Sequence, residues 1–246
     1  MIFWPLRRKP CERCLRGNRS VAVLRPEPGN RATIARLAEL GVEATALPLF
    51  AVQPLAWTVP DPADFDVLIL TSANAVRWGG EGLARLTAMP VYAVGEATAA
   101  AARAAGIDVM TTGSDDAATL LAVARAAGVA RALHLGGRES IITPGEPPAD
   151  IVHQSIAVYA SDPVPVPPRA LAELIDGIAL LHSPRAARQF AALIDMAGFA
   201  RNRITLAALS PAVAAAVGHG WKAVWTAPIP TDAALVSLVR DLVRAD

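Results

Sequence analysis

A short pattern that occurs twice constrains the fold of this chain more than any other feature. Residues 67–75 read VLILTSANA, and residues 178–186 read IALLHSPRA. In each copy an apolar run is followed by a hydroxyl residue and helix-forming residues, which is typical of a buried strand that leads into a capped helix. Two copies of this pattern predict two α/β units.

The repeat extends beyond these two segments. Residues 90–106, PVYAVGEATAAAARAAG, match residues 204–220, ITLAALSPAVAAAVGHG, as a strand, a small-residue turn and an alanine-rich helix. The spacing from this turn to the end of the next predicted strand is also the same in both copies. Chance similarity between alanine-rich helices is the alternative, but the shared order and spacing favour an internal duplication. We therefore predict that each half forms a parallel sheet with helices on both faces.

The domain organisation follows from what the C-terminal copy lacks. It has no first strand–helix pair of its own, and the strand and helix predicted within residues 21–46 could supply one. Two proline-rich segments, residues 50–62 and 160–168, have the composition of linkers, so we expect the chain to cross between domains twice. The predicted organisation is one domain from residues 21–50 and 162–246, a second from residues 54–158, and an unstructured N-terminal extension over residues 1–20.

Composition and charge restrict the class of ligand. Only 18% of the residues are charged, which is typical of a globular chain, and the net charge of +1 argues against a nucleic-acid partner. No uncharged apolar run is long enough to span a bilayer, so we expect a cytoplasmic protein without membrane contact. Cys11 and Cys14 form a C-x-x-C motif, which is typical of half a zinc site or of a redox pair. Because no second ligand pair follows, we expect this segment to be an unstructured extension or the result of an upstream start codon instead.

Polar residues follow the predicted strands of both halves. In open parallel sheets, ligands bind outside the carboxyl ends of the strands, where helix N-termini face outward. Hydroxyls, glycines and arginines at these positions suit carboxylate or phosphate groups. Each hydroxyl taken alone is also explained as a helix N-cap. The candidate residues are Arg25, Ser183, Ser210 and Thr231 in one domain, and Thr71, Ser72, Gly95, Thr98 and the turn Gly136–Gly137–Arg138 in the other.

The motifs of several common enzyme classes do not occur in the sequence. There is no G-x-x-x-x-G-K-[ST] loop, no G-x-G-x-x-G fingerprint after the first strand and no G-x-S-x-G elbow. His134, His153, His182 and His219 have no ligand spacing, and His134 and His182 lie in strand-like runs where we expect core histidines. We therefore expect a site that uses no metal and no cofactor.

Six short motifs occur together in an order and spacing that indicate one family. They are LRPEPGN (24–30), LTSANAV (70–76), AVGEATAAAA (93–102), VY (158–159), LLHSPRAA (180–187) and PIPTDAAL (228–235). With this combination, the chain resembles the uroporphyrinogen-III synthase family of tetrapyrrole biosynthesis over about residues 21–246. The sequence departs from the family's pattern at Ala212 and Val213, where members often have threonines, and at Asn74, where many have a basic or other polar residue.

The resemblance implies a fold and a reaction. The implied fold is two flavodoxin-like α/β domains joined by a two-stranded connector, with the active site in the cleft between the domains. The implied reaction closes linear hydroxymethylbilane to uroporphyrinogen III, with loss of water and inversion of the last pyrrole ring, and needs no cofactor. The substrate carries eight carboxylates for the candidate residues to hold. Because it closes without enzyme to the uninverted isomer, the protein has to direct geometry more than supply reactive groups.

The resemblance also assigns a role to Tyr159. Tyr159 lies at the VY position of the family's proposed catalytic tyrosine, whose suggested role is to donate a hydrogen bond or proton to the departing hydroxyl of the first ring. On sequence alone, a tyrosine packed at a domain border is the simpler interpretation. Asn74 is the further substrate-binding candidate.

Two other functional classes stay open at this stage. A two-domain binding protein of the periplasmic type would share the double crossing, but it needs an export signal, and none is visible. A catalytically degenerate ligand-binding or regulatory module is the second alternative. For the enzyme, we expect a monomer with a small-molecule substrate, and the hydroxymethylbilane synthase that makes this substrate is a candidate for transient contact.

Overall fold

The structure is a computed structural model, and it describes residues 19–113, 117–140 and 151–245. The predicted N-terminal extension therefore lies outside the described residues, except for Arg19 and Ser20, and so do Cys11 and Cys14. Among the helices in these three stretches, none combines the length and the apolar character that crossing a lipid bilayer requires.

Strands and helices alternate along most of the described chain. In chain order the strands are β1 (Val21–Val23), β2 (Thr45–Ala46), β3 (Phe50–Pro54), β4 (Val67–Leu70), β5 (Val91–Val94), β6 (Val109–Gly113), β7 (Arg131–Gly137), β8 (Val152–Pro163), β9 (Ile178–Leu181), β10 (Thr205–Ala208) and β11 (Ala223–Thr226). The helices are α1 (Gly29–Glu39), α2 (Ala73–Trp78), α3 (Gly80–Ala84), α4 (Glu96–Ala104), α5 (Ala117–Ala126), α6 (Pro168–Ala172), α7 (Pro184–Met196), α8 (Pro211–Ala216) and α9 (Asp232–Arg244).

These elements form two compact units. Among the described residues, unit 1 is made of those up to Ala51 together with those from Pro163 onward, and unit 2 of those from Val52 to Asp162. The chain passes from one unit to the other within β3 and again within β8, and these two strands are neighbours in one sheet. Leu55 N donates to Val158 O (3.0 Å) and Val164 N donates to Leu49 O (3.0 Å), so the pair runs antiparallel.

Unit 1 is built on a five-stranded sheet in the order β11-β10-β9-β1-β2. All neighbouring strands are parallel, and β1 lies beside β9 with Val21 opposite Ile178. The strands are buried on both faces because helices cover both: α7 and α8 pack on the side of Ala22 and Leu24, and α1 and α9 on the side of Val21. This explains why β1 and β9 are continuously apolar rather than alternating.

Unit 2 repeats this architecture with a six-stranded sheet in the order β3-β8-β7-β4-β5-β6. The strands from β8 to β6 are parallel to their neighbours. Leu68 and Leu70 pack toward α2, α3 and α4, whereas Val67 and Ile69 pack toward α5. The predicted α/β fold class, with parallel sheets covered by helices on both faces, is therefore confirmed.

The structure corrects four local predictions. The apolar run 44–50 taken by itself predicts one strand, but β2 ends at Ala46 and β3 begins at Phe50, with Pro48, which has no backbone N–H, between them. Residues 73–87 taken by themselves predict one helix, but this segment is divided into α2 and α3, because Gly80 has a positive φ of 60°. The turn predicted at Gly136–Gly137 is wrong, since both glycines belong to β7. The apolar segment SIAVY predicts a strand that ends at Tyr159, but β8 continues to Pro163.

Candidate functional site

The candidate residues of unit 2 lie at one edge of its sheet. Thr71 follows β4 directly, Gly95 follows β5 and Arg138 follows β7. Because β4, β5 and β7 are parallel neighbours, their carboxyl ends meet at the same edge, and the three positions come together there. Ser72 and Asn74 belong to the same edge, at the start of α2.

The candidate residues of unit 1 occupy the corresponding edge of the other sheet. Ser183 follows β9 and begins α7, and Ser210 follows β10 and begins α8. Arg25 lies just beyond β1, and Thr231 begins α9. The two halves of the repeat therefore place their polar residues at equivalent positions of their parallel sheets.

Four of the candidate hydroxyls cap the helices that they precede. The cap acceptors and their backbone N–H donors are Ser72 with Asn74 (3.1 Å), Ser183 with Ala186 (3.2 Å), Ser210 with Val213 (3.4 Å) and Thr231 with Ala234 (3.3 Å). A hydroxyl that accepts a cap bond still carries a hydrogen that it can donate to a ligand. The N-cap interpretation thus accounts for the structural role of these four hydroxyls. That they also donate to a ligand stays a prediction.

Ser183 offers a way to separate the two roles. Ser183→Ala removes the cap of α7 and is expected to lower the free energy of unfolding by about 1 kcal/mol, whereas Ser183→Gly should cost only a few tenths, since glycine is itself tolerated at N-caps. If the hydroxyl also contacts the substrate, both variants raise KM. Urea denaturation and steady-state kinetics measure the two effects, and an unchanged KM in both variants would leave Ser183 with the cap alone.

Three other candidates, Thr98, Gly95 and Asn74, are buried or already hydrogen-bonded within unit 2. Thr98 is only 4% exposed and lies on the packed face of α4. Gly95 adopts a positive φ of 75° before α4, and its N–H donates to Gly113 O (2.7 Å). Asn74 Oδ1 accepts from the Arg77 guanidinium at 3.0 Å. Their assignment as substrate contacts also stays a prediction, and the burial of Thr98 weighs against a direct contact through its side chain.

Arg138 lies beside two carboxylates. Its guanidinium pairs with Asp162 near the end of β8 and lies 3.5 Å from Glu139. The side chain is half exposed, so water screens both ion pairs. A ligand carboxylate would therefore have to compete with acidic groups of the protein for this arginine.

Tyr159 packs against the backbone of the neighbouring strand. It lies within β8, is 9% exposed, and stands opposite Gly137 of β7. A Cβ atom at Gly137 would lie 2.7 Å from Tyr159 Cζ and 2.9 Å from its hydroxyl oxygen, so the ring can occupy this place only beside a glycine. Within the described part of the chain, no residue hydrogen-bonds the Tyr159 hydroxyl. The position of the ring is thus fixed by packing, while its hydroxyl can still form a hydrogen bond with a ligand.

His134, which the sequence indicated only as a core histidine, contacts one of the candidate residues. Its Nε2 lies 2.9 Å from Thr71 Oγ1, and its Nδ1 lies 3.0 Å from Ser155 Oγ on β8. The ring is completely buried. This burial, with a smaller contribution from the charge of nearby His153, lowers the pKa of His134 to about 4, so the imidazole is neutral at physiological pH.

In unit 1, several donors converge on Asp232, the first residue of α9. Its Oδ1 accepts from His182 Nε2 (2.8 Å), Thr33 Oγ1 (2.6 Å) and Arg25 (3.2 Å), and its Oδ2 accepts from Arg36. Burial alone would raise the pKa of this carboxyl, but the bonds from His182, Thr33 and Arg36 hold it well below its usual range. We call these five residues the Asp232 cluster.

The Asp232 cluster was missed by the sequence analysis, which considered Arg25 and Thr231 but not Asp232. Burial lowers the pKa of His182, whose side chain is 7% exposed and whose Nδ1 has no hydrogen-bond partner among the described residues. The sequence did contain a signal for this cluster: Asp232 lies in the first turn of a predicted helix, and Arg25 and His182 each follow a predicted strand. Because Arg25 pairs with Asp232, its charge is already compensated within the protein.

The fold and the edges just described define a class of protein. Both units are doubly wound α/β structures, and proteins of this class bind ligands at the carboxyl ends of their strands. The chain belongs to the uroporphyrinogen-III synthase family, since the family model described as "Uroporphyrinogen-III synthase HemD" matches residues 31–237. The predicted family and the predicted activity class, a cyclising lyase of tetrapyrrole biosynthesis, are confirmed by this match, and a small-molecule substrate agrees with it.

Solved structures of two uroporphyrinogen-III synthases share the fold. The enzyme from Helicobacter pylori is 18% identical, with a TM-score of 0.65, over 91% of this chain and 99% of that one. A mutant of the enzyme from the extremely thermophilic bacterium Thermus thermophilus is 15% identical, with a TM-score of 0.55, over 92% and 100% of the two chains. A search of curated proteins finds no significant match.

Proposed function

We propose that this chain closes hydroxymethylbilane to uroporphyrinogen III and that Tyr159 assists the departure of water. The observation that carries the reaction is the match of the family model to residues 31–237. In the proposed step, the Tyr159 phenol donates a proton to the hydroxyl of the first ring, the C–O bond breaks, and water leaves. Inversion of the last ring then requires two new carbon–carbon bonds and one broken one. The substituted α-carbon of that ring bonds to the methylene of the first ring, its old bond to the neighbouring methylene breaks, and its free α-carbon bonds to that released methylene. The proton lost from this carbon as the pyrrole regains aromaticity restores the phenol.

Three features of Tyr159 support this role. The ring is held against Gly137, so its direction is set by the fold rather than by the ligand. The hydroxyl makes no hydrogen bond to the described residues and needs none to be broken before it meets a substrate. Phenols are hydrogen-bond donors at neutral pH and can therefore assist a leaving hydroxyl without a neighbouring base.

The substrate carboxylates are proposed to meet the polar edges of both sheets. Hydrogen bonds to charged groups are individually worth about 1.5–3 kcal/mol, so many contacts would share the binding energy. The proposed contacts are Arg25, Thr71, Ser72, Asn74, Gly95, Thr98, Arg138, Ser183, Ser210 and Thr231. Of the two arginines, Arg138 is the more exposed, with 51% of its side chain accessible against 32% for Arg25.

The reaction itself is tested by a coupled assay. Hydroxymethylbilane is generated in situ, the products are oxidised, and isomers I and III are separated by chromatography. Addition of the protein is expected to replace isomer I, which forms spontaneously, with isomer III. Production of isomer I alone would instead favour the degenerate ligand-binding module.

Tyr159→Phe tests the role of the phenol. We expect the rate of isomer III formation under substrate saturation to fall by roughly tenfold to 10²-fold, at the lower end of general acid effects, because the hydroxyl departs readily even without help. KM and thermal stability should stay close to those of the wild-type protein, since only one oxygen atom is removed. An unchanged rate would reduce Tyr159 to a packing residue.

Tyr92→Phe is the matched control. Tyr92 is the other of the two tyrosines in the chain, and it is 7% exposed on β5 in the core next to α5. Its replacement removes the same atom from a comparable buried environment, so it should leave the rate of isomer III formation unchanged. An equal loss of rate in both variants would show that the effect of Tyr159→Phe is not specific to the site.

The proposal extends to how the protein works in the cell. We propose that unit 1 and unit 2 act as its two domains and that it is a cytoplasmic monomer. Because free hydroxymethylbilane closes spontaneously to the wrong isomer, transient contact with hydroxymethylbilane synthase would shorten the time that the substrate spends in solution.

A further inference from the structure

Three polar side chains of unit 2 lie in one line across three neighbouring strands. Ser155 of β8 is directly opposite His134 of β7, and Thr71 follows β4, the strand on the other side of β7. Ser155 Oγ lies 3.0 Å from His134 Nδ1, and His134 Nε2 lies 2.9 Å from Thr71 Oγ1. His134 is completely buried, whereas Thr71 is partly exposed at the candidate edge. The line therefore connects the interior of the sheet with a predicted substrate contact.

The neutral imidazole allows two arrangements of the hydrogens in this line. A neutral histidine carries one N–H and one bare nitrogen. If Nδ1 carries the hydrogen, it donates to Ser155, and Nε2 accepts the hydroxyl hydrogen of Thr71. If Nε2 carries it, Nε2 donates to Thr71 Oγ1, and Nδ1 accepts the hydroxyl hydrogen of Ser155.

The two arrangements give Thr71 opposite binding properties. In the first, the Thr71 hydrogen points to His134, and its oxygen can only accept from a ligand. In the second, the oxygen already accepts from Nε2, and the hydroxyl hydrogen is free to be donated outward. A carboxylate has no hydrogen to give and requires a donor. Only the second arrangement therefore suits an anionic substrate.

We propose that His134 and Ser155 are positioning residues, which present the Thr71 hydroxyl as a donor to a substrate carboxylate. A bound carboxylate selects the second arrangement, in which Ser155 donates to Nδ1, the imidazole hydrogen lies on Nε2, and the Thr71 hydrogen is turned outward. This inference rests on the proposed function, because it takes Thr71 as a contact to a carboxylate. It adds that residues which do not touch the substrate complete the line of hydrogen bonds that supports this donor direction.

The repeat shows that this arrangement is particular to unit 2. The position of Thr71 in VLILTSANA is occupied in IALLHSPRA by His182. His182 donates through Nε2 to Asp232, a fixed acceptor within the protein, and so has no comparable hydrogen to offer to an anion. Equivalent positions in the two units thus serve a ligand contact in one and an internal ion cluster in the other.

Kinetic coupling provides the first test. Thr71→Val removes the donor and should raise KM about tenfold, the effect of losing one hydrogen bond to a charged group, while kcat is retained. Ser155→Ala should raise KM about threefold to tenfold, and Ser155→Thr, which restores a hydroxyl, should return it to the wild-type value. The double variant Thr71→Val/Ser155→Ala should be no worse than Thr71→Val. Ser161→Ala, on the same strand, is the matched control and should not change KM.

A spectroscopic readout provides the second test, because a purely structural serine would not affect it. With ¹⁵N-labelled histidine, NMR reports which imidazole nitrogen carries the hydrogen, and His134→Gln assigns the signal. In the presence of uroporphyrinogen III under anaerobic conditions, we expect the hydrogen on Nε2 in the wild-type protein and a mixture of both forms in Ser155→Ala.

The proposal is overturned if Nδ1 carries the hydrogen in the ligand-bound protein. It is equally overturned if Thr71→Val leaves KM unchanged, or if the KM effects of Thr71→Val and Ser155→Ala multiply in the double variant. Each of these results leaves isomer III formation by the wild-type protein intact. Failure of the positioning residues is therefore distinguishable from failure of the proposed function, in which the wild-type protein forms no isomer III.

Discussion

Asp232→Ala is expected to lower the free energy of unfolding by about 3 kcal/mol, as when one partner of a buried ion pair is removed. Most of this loss should come from His182 and Thr33, which are 7% and 0% exposed and cannot turn to water when their acceptor is lost. Arg36, with 49% of its side chain exposed, can be rehydrated. For a chain of this length the change corresponds to a decrease in Tm of about 6–12 °C.

Asp241→Ala is the control for this prediction. Asp241 is an aspartate of the same helix, α9, and it pairs with its neighbour Arg240 at the surface, with 63% of its side chain exposed. Exposed pairs of this kind contribute little, so the variant should stay within about 0.5 kcal/mol of the wild-type protein. Urea denaturation of both variants gives the comparison. Equal stability of Asp232→Ala and Asp241→Ala would mean that the Asp232 cluster does not hold α9 in place.

The free energy of unfolding should fall by about 3 kcal/mol between pH 6.5 and pH 4 because of His134 alone. The pKa of His134 is lowered to about 4 in the folded protein, against 6.5 for an ordinary histidine, chiefly by burial. Between these two values the unfolded chain binds a proton that the folded protein does not, so stability rises with pH in this window and is lost as the pH falls through it. The lowered pKa of His182 acts in the same direction.

His134→Gln isolates this contribution. Glutamine keeps a polar group near Thr71 and Ser155 but does not titrate, so the variant is expected to be less stable at pH 7 and to depend less steeply on pH between 6.5 and 4. Protonation of Asp232 also lowers the free energy of unfolding, but it does so mainly below pH 4, because the pKa of this carboxyl is held below its usual range. It therefore contributes little to the change between pH 6.5 and pH 4. If the free energy of unfolding of the wild-type protein and of His134→Gln had the same pH dependence between pH 6.5 and pH 4, His134 would not be a buried, neutral histidine.

The sequence was sufficient for the repeating strand–helix units and for the edges at which the candidate residues lie. Apolar runs such as 67–70 and 178–181 form strands that are buried on both faces. Burial on both faces requires consecutive apolar residues, and such a run can be recognised in a short segment of sequence. The N-caps are local as well, since each acceptor and donor lie two or three residues apart. The positions of Ser72 and Ser183 therefore follow from short segments of sequence.

The polar contacts within the units could not be predicted in the same way. Thr33 and Asp232 are far apart in the chain, and so are Thr71 and His134, and each pair meets only because its strands and helices become neighbours in a sheet. Gly137 has a similar explanation: it was interpreted as part of a turn, but its lack of a side chain serves the ring of Tyr159 on the next strand. Such requirements come from tertiary packing, which residue type and spacing do not encode.

The place of β1 in the sheet of unit 1 has a consequence for the order of folding during synthesis. Val21 pairs with Ile178, so β1 has to wait for this partner strand until more than 150 further residues have been made. Unit 2 lies between them as one continuous stretch and can complete its own sheet earlier. Because contacts between distant segments form slowly, the apolar strand β1 lacks its neighbour β9 during most of synthesis and has only β2 beside it, and the later strands β9–β11 complete its core.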